Sequence, residues 1–139
     1  MEITANAVQI VAANQNVLFT DEITCGTSSI IHRDGSGLVT LRGLTNQCRA
    51  RFKVSFGANI AIPADGTVGP ISLAIAINGE SVLPTTMIET PAAVSEFNNV
   101  FSAVYVDVPA CCCAQISVKN TSTIPVSVQN ANLIVERVA

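Results

Sequence analysis

Hydrophobic and polar residues alternate with a period of two through most of the chain, and the spacing of an amphipathic helix is almost absent. The clearest case is Arg49–Phe56, where Ala50, Phe52, Val54 and Phe56 alternate with Arg49, Arg51, Lys53 and Ser55. Successive side chains on a strand project to opposite faces, so this segment buries one face and presents a basic one. Gly57 is expected to bend it, and Asn59–Ile62 to continue it to Pro63. Ile71, Leu73, Ile75 and Ile77 alternate with Ser72, Ala74 and Ala76. The alternating partners are small, which predicts a strand covered on both faces. Asn78-Gly79 follows directly, and both residues tolerate positive φ, so a type I′ turn should lead into a return strand over Glu80–Leu83, limited by Pro84.

The same pattern supplies the other elements. Val8–Ala12 and Val17–Ile23 read as short strands separated by Asn14-Gln15-Asn16. Ser29–Arg33 and Leu38–Arg42 flank Asp34-Gly35-Ser36-Gly37, a hairpin with its tip. Phe97–Val108 is apolar on both sides and ends at Pro109. Ala114, Ile116 and Val118 alternate with polar residues, and Asn120–Pro125 is a turn. Val126, Val128, Leu133 and Val135 make a last strand, bulged near Asn130. The one helical candidate is Thr90–Asn98, with Pro91 at a first helical position. About eight to ten short strands joined by frequent turns, with no internal repeat or linker, predict one all-β domain over residues 1–139, an antiparallel β-sandwich or jelly roll.

Composition sharpens this reading. The 139 residues are 49% hydrophobic but only 12% charged, about half the usual globular share of roughly 25%. Aromatics are 4%, Trp is absent, and the mean hydropathy is +0.48. These values exclude a disordered chain, a coiled coil and a charged bundle. A membrane span is not expected, because the uncharged stretch Ile3–Thr20 carries Asn6, Gln9, Asn14, Gln15 and Asn16. Glu2 stands where a signal peptide would be basic, so synthesis and folding in a cytoplasm are expected. The net charge of −3 argues against nucleic acid, and four of the seven basic residues fall between Arg42 and Lys53. Arg49, Arg51 and Lys53 there form a solvated strand face or, on the sharper reading, a surface for an anionic partner.

No residue set carries an obvious chemistry. His32 is the only histidine, so no metal site built on histidines is expected within one chain, and no serine has a nucleophile-elbow setting. Asp34-Gly35 and Asp65-Gly66 are turn residues, and phosphate loops and dinucleotide fingerprints are absent. The expectation is no enzyme, no cofactor and no metal. The five cysteines are the oddest feature: Cys25 and Cys48 are isolated, and Cys111, Cys112 and Cys113 are consecutive. Three readings are open for this thiol cluster: buried free thiols at a strand start, a disulfide from Cys48 or Cys25, or a thiolate metal site shared between subunits.

Three passages carry a family resemblance. They are Asn16-Val17-Leu18-Phe19 with Gly37-Leu38-Val39-Thr40-Leu41; Arg51–Phe56 followed by Val68-Gly69-Pro70-Ile71 through Asn78-Gly79-Glu80; and Phe101–Val108, Gln115–Asn120 and Ala131–Val138 as the last three strands. In this order they resemble the TNF/C1q-like jelly roll, over nearly the whole chain, in the form common in bacterial and phage members. The resemblance implies a homotrimer. An interface between subunits would account for strands that are apolar on both faces, and Phe101, Ala103, Tyr105, Leu133 and Val135 are its candidate residues. The function expected is that of a non-enzymatic structural subunit, decorating or cementing a phage capsid in the virion. Its partners would be copies of itself and other virion or surface-assembly proteins. The alternative is a trimeric receptor- or carbohydrate-binding head of a phage fibre or of a bacterial spore or cell surface.

Overall fold

The alternation becomes a sandwich of two antiparallel sheets in the computed structural model, which describes Met1–Ala139. The strands are β1 (Glu2–Ala5), β2 (Gln9–Val11), β3 (Asp21–Thr24), β4 (Ile30–His32), β5 (Val39–Arg42), β6 (Arg49–Ala61), β7 (Ile71–Ile77), β8 (Glu80–Ser81), β9 (Met87–Glu89), β10 (Asn98–Pro109), β11 (Cys113–Asn120) and β12 (Val126–Arg137). Sheet I has the order β10-β6-β12-β1-β3, with β2 also paired to β12. Sheet II has the order β4-β5-β11-β7-β8, with β9 also paired to β7. No helix is long and apolar enough to cross a membrane.

Strand β6 is the longest, and its inward residues Ala50, Phe52, Val54, Phe56, Ala58 and Ile60 are all buried. It pairs with β10 along its length and with β12 on its other side. They share a core of 30 buried residues with the inward faces of sheet II. Phe19 and Phe56 meet edge to face there, with ring centroids 6.3 Å apart, the arrangement aromatic quadrupoles favour. On β7, Leu73, Ala74, Ile75 and Ala76 are all buried, as the small alternating partners require.

The turn chemistry is as expected at two places. Asn78 and Gly79 both have positive φ, 53° and 84°, which lets β7 reverse into β8. Asn130 also has positive φ, 54°, and the β12–β6 register shifts between Gln129 and Asn132, a β-bulge. Elsewhere the structure corrects the sequence reading. Gly57 does not interrupt β6; pairing with β10 continues through it, and the Phe101 ring lies over it. Thr90–Asn98 is not helical, because a residue before proline is pushed towards extended backbone and the chain arrives at Pro91 from strand β9. The only helical turn is a short 3₁₀ segment, Leu83–Thr85, with Pro84 in its first turn. There the Thr85 hydroxyl accepts from the Ile75 amide at 2.9 Å and donates to the Val82 carbonyl at 2.6 Å. It replaces a strand partner between β8 and β9, which is why the return strand stops at Ser81.

The first part of the chain is also rearranged. Val17–Thr20 is not strand; the Val17 amide bonds the Val118 carbonyl, and Phe19 bonds both ways with the hairpin tip through Ser36 and Gly35. The strand begins only at Asp21. Glu2–Ala5 forms a strand that the alternation did not mark, lying between β12 and β3.

Asn120 ends β11 fully buried. Its amide donates to the carbonyls of Val11 at 2.9 Å and Ile124 at 3.0 Å, and its oxygen accepts from the Ser122 amide at 2.9 Å. One side chain therefore joins β2, the end of β11 and the turn into β12. Replacing Asn120→Leu keeps the approximate volume but leaves those backbone groups without partners. The expected loss is about 1–3 kcal/mol of stability, read as a lower urea midpoint with an unchanged slope; an unchanged midpoint would refute this role.

Candidate interaction face

Exposed apolar residues occur on both sheets and in the loops, and one group of them, with the two large aromatic rings, stands on the outward face of sheet I. On β10, the residues opposite the core side are Phe101, Ala103, Tyr105 and Asp107. Cross-strand register sets Phe101 beside Gly57 of β6, Ala103 beside Ser55, and Tyr105 beside Lys53. One strand further, Ser55 faces Ile134 and Lys53 faces Glu136 of β12. Phe101 is 67% exposed, Tyr105 62% and Ile134 42%. Phe101 and Tyr105 lie four residues apart, roughly 13 Å along the strand. Ala103 and Ser55 form a low floor between the two rings, and Ile134 borders it. The result is a ridged apolar face with a small-residue hollow.

The ends of the face are polar. Asn99 donates to Asn59 at 3.2 Å at one end. At the other, Asp107 receives both Nε and a terminal amino group of Arg51, at 2.7 and 3.0 Å, and Arg49 Nε approaches its second oxygen at 3.0 Å. The hydrogen bonds from Arg51 hold the Asp107 carboxyl below its ordinary value, helped by the charges of both arginines. The same bond raises Arg51. So the alternating cations do face outward, but two of them are spent on one carboxylate of the same sheet. This weakens the reading of a basic surface for an anionic partner, because Lys53 alone is left and it faces Glu136.

The interface candidates divide. Phe101, Ala103 and Tyr105 stand on the exposed face, whereas Leu133 and Val135 are wholly buried between the sheets. Their assignment to an interface is corrected: the bulge at Asn130 sets the phase of β12, and Ile134 is the outward residue. The bulge expected near Asn130 puts Leu133 and Val135 on the same inward face as Val126 and Val128, so they belong to the core.

The cysteines are not a buried cluster. All five are free and exposed. Cys111, Cys112 and Cys113 round the turn between β10 and β11, where Cys111 has φ 63°. The loop before β6 lies against this turn, with the Ala110 amide on the Cys48 carbonyl at 3.0 Å and the Gly43 amide on the Cys112 carbonyl at 2.8 Å. Cys25 lies elsewhere, just after β3. The expectation of buried thiols is overturned, because Cys111 and Cys112 lie in the turn and Cys113 opens β11 with its side chain exposed. His32 packs its ring edge to face with Phe19, centroids 6.4 Å apart.

No family model and no curated protein matches the sequence. Solved structures do share its form. The globular domain of zebrafish complement 1qA protein superposes with a TM-score of 0.68 at 11% identity, covering 99% of this chain and 95% of that one. Murine APRIL, determined at pH 5.0, superposes with a TM-score of 0.58 at 9% identity, covering 95% and 96%.

The ion pair has a pH signature of definite sign. The Asp107 carboxyl is held below its ordinary value of 3.8, so its contribution is fully present above the unfolded pKa. It is lost as pH falls through the lower folded pKa. An NMR titration of the Asp107 carboxyl should therefore give a midpoint below 3.8, and Arg51→Met should move it back up. A midpoint unmoved by that substitution would contradict the assignment of cause. The fold that carries this face is the jelly roll of the TNF and C1q type.

Proposed function

We propose that the protein is a non-enzymatic structural subunit that assembles as a homotrimer through the outward face of sheet I. The observation that carries this reading is the face of Phe101, Tyr105 and Ile134. Exposed aromatics around a small-residue hollow are the shape of a site that another protein surface fills, and burying each large apolar side chain contributes about 1.5–3 kcal/mol. A second copy is the occupant that best fits the shared fold, since the resemblance to TNF/C1q-like domains implies a trimer. In a closed threefold ring each subunit buries two different patches, so this face would pack against a second patch of the neighbouring copy. Support for a structural role comes from the sequence, which holds one histidine and no nucleophile setting.

The assembly proposed is the surface of a phage particle of the bacterial or phage branch of this fold, where the trimer decorates or cements the capsid. Low charge and an apolar interface suit a part that is permanently assembled. The location is a proposal resting on that composition and on the resemblance.

Light scattering coupled to size-exclusion chromatography tests the oligomer. The expected mass at micromolar concentration is three chains, and Phe101→Glu with Tyr105→Glu should give a monomer that keeps its far-ultraviolet circular dichroism. A wild-type monomer, or a trimer indifferent to both substitutions, would overturn the proposal. Electron microscopy of native particles with an antibody to this chain then tests the location: label over the capsid is expected, and label confined to fibre tips would favour a receptor-binding head.

A further inference from the structure

The edge of the sandwich formed by β3 and β4 lies at the far side of sheet I from β10. There, Glu22 of β3, His32 of β4 and Asp34 of the hairpin tip each place one ligand-type atom within 4.8 Å of the others. The two carboxylates are exposed and the imidazole is half-buried. The chain is built to bring them together: the Gly35 amide bonds the Phe19 carbonyl at 2.8 Å and the Phe19 amide bonds the Ser36 carbonyl at 3.3 Å. Those bonds fasten the hairpin tip to the segment that enters β3.

The hydrogen bonding of the ring fixes what it can do. His32 Nε2 lies 2.9 Å from the Ser36 carbonyl. A carbonyl only accepts, so Nε2 carries the proton and the neutral ring offers a lone pair at Nδ1. Nδ1 is buried without a partner, the sole side-chain atom of the chain in that condition. No ion pair joins the ring to either carboxylate. The three side chains converge, and the ring nitrogen left as an acceptor is Nδ1. A ring nitrogen whose other nitrogen donates to a backbone carbonyl is the usual form of a metal-bound histidine.

We infer that Glu22, His32 through Nδ1, and Asp34 form a binding site for a divalent cation of the zinc class. The cation would fasten the edge strand of sheet I to the edge strand of sheet II. Imidazole with carboxylates selects zinc-like ions over calcium or magnesium, which prefer an all-oxygen shell. Bonds of about 2.0–2.2 Å put ligand atoms no more than roughly 4.4 Å apart, so a small inward rotation of the exposed carboxylates closes the shell. Water would complete it on the solvent side. The signal was latent in the sequence, where the lone histidine lies two residues before Asp34, but Glu22 joins them only through the fold.

The only histidine makes the test direct, because the ring gives one set of nitrogen resonances. Zinc chloride is titrated into the full-length ¹⁵N-labelled protein after its exposed cysteines are capped with iodoacetamide, so that thiols do not compete. Expected is a saturable shift of Nδ1 at one ion per chain, with slower hydrogen exchange across Asp21–Thr24. Glu22→Gln and Asp34→Asn, each checked for an intact backbone spectrum, should each raise the half-saturating zinc concentration by about tenfold or more, since even partners outside the shell are worth about 10–100-fold. The inference fails if the ring of the folded protein does not respond to millimolar zinc, or if Glu22→Gln saturates where the wild type does. It also fails if both ring nitrogens prove protonated and indifferent to zinc, which would make the cluster a simple charged contact.

Discussion

Strand β6 is the constraint on which the rest of the molecule hangs. Its six inward residues reach the core, and its outward residues set the register of everything displayed on sheet I. Because side chains alternate strictly, a slip of one residue would exchange Phe52, Val54 and Phe56 for Arg51, Lys53 and Ser55. Cations and hydroxyls would then enter the core while aromatics met water. The register is therefore strongly specified, and β10 and β12 inherit it from either side. Phe101, Tyr105 and Ile134 share a face because each is placed by its pairing with β6.

This also explains which parts were legible in the sequence. β6 and β7 could be read from alternation, and the I′ turn at Asn78-Gly79 from residues that accept positive φ. β1 was not legible: Glu2–Ala5 holds one large apolar side chain, and its place between β12 and β3 comes from long-range pairing alone. Val17–Thr20 looked like strand because Val17 and Phe19 are buried at alternate positions. Burial there comes from docking on the hairpin tip instead. The false helix at Thr90–Asn98 had a helix-start proline but no apolar stripe, and the strand before Pro91 prevailed. For the interface candidates, Phe101, Ala103 and Tyr105 followed from a continuous strand, while Leu133 and Val135 share the inward face of Val126 and Val128 once the bulge at Asn130 is counted.

Low charge takes on a location in this fold. The core absorbs most of the apolar residues, as in any sandwich, and part of the exposed remainder stands on β10 and β12 as Phe101, Tyr105 and Ile134. The few charges on sheet I are used against one another, with Arg49 and Arg51 both on Asp107. Exposed pairs of this kind add little stability. Their effect is to leave the neighbouring apolar stripe without an uncompensated cluster of like charge, so a second surface can approach it without long-range repulsion.

The two rims of sheet I meet different physical demands. At the β10 side, the long pairing with β6 and a buried inward row hold the strand regardless of what covers its outer face. At the β3 side, all four strand residues are exposed, so hydrophobic burial does little to hold this edge. An edge strand of that kind frays unless local links restrain it. The backbone bonds from Thr20 to Thr4 and from the hairpin tip to Phe19 supply part of the restraint. Glu22, His32 and Asp34 stand where the remaining restraint would act, across the gap between the two sheets, and a cation is the agent that unites three acceptors. A subunit contact at one rim and an ionic fastening at the other would then be separate solutions. Each answers the same shortage, a sandwich whose perimeter is not fully held by its own core.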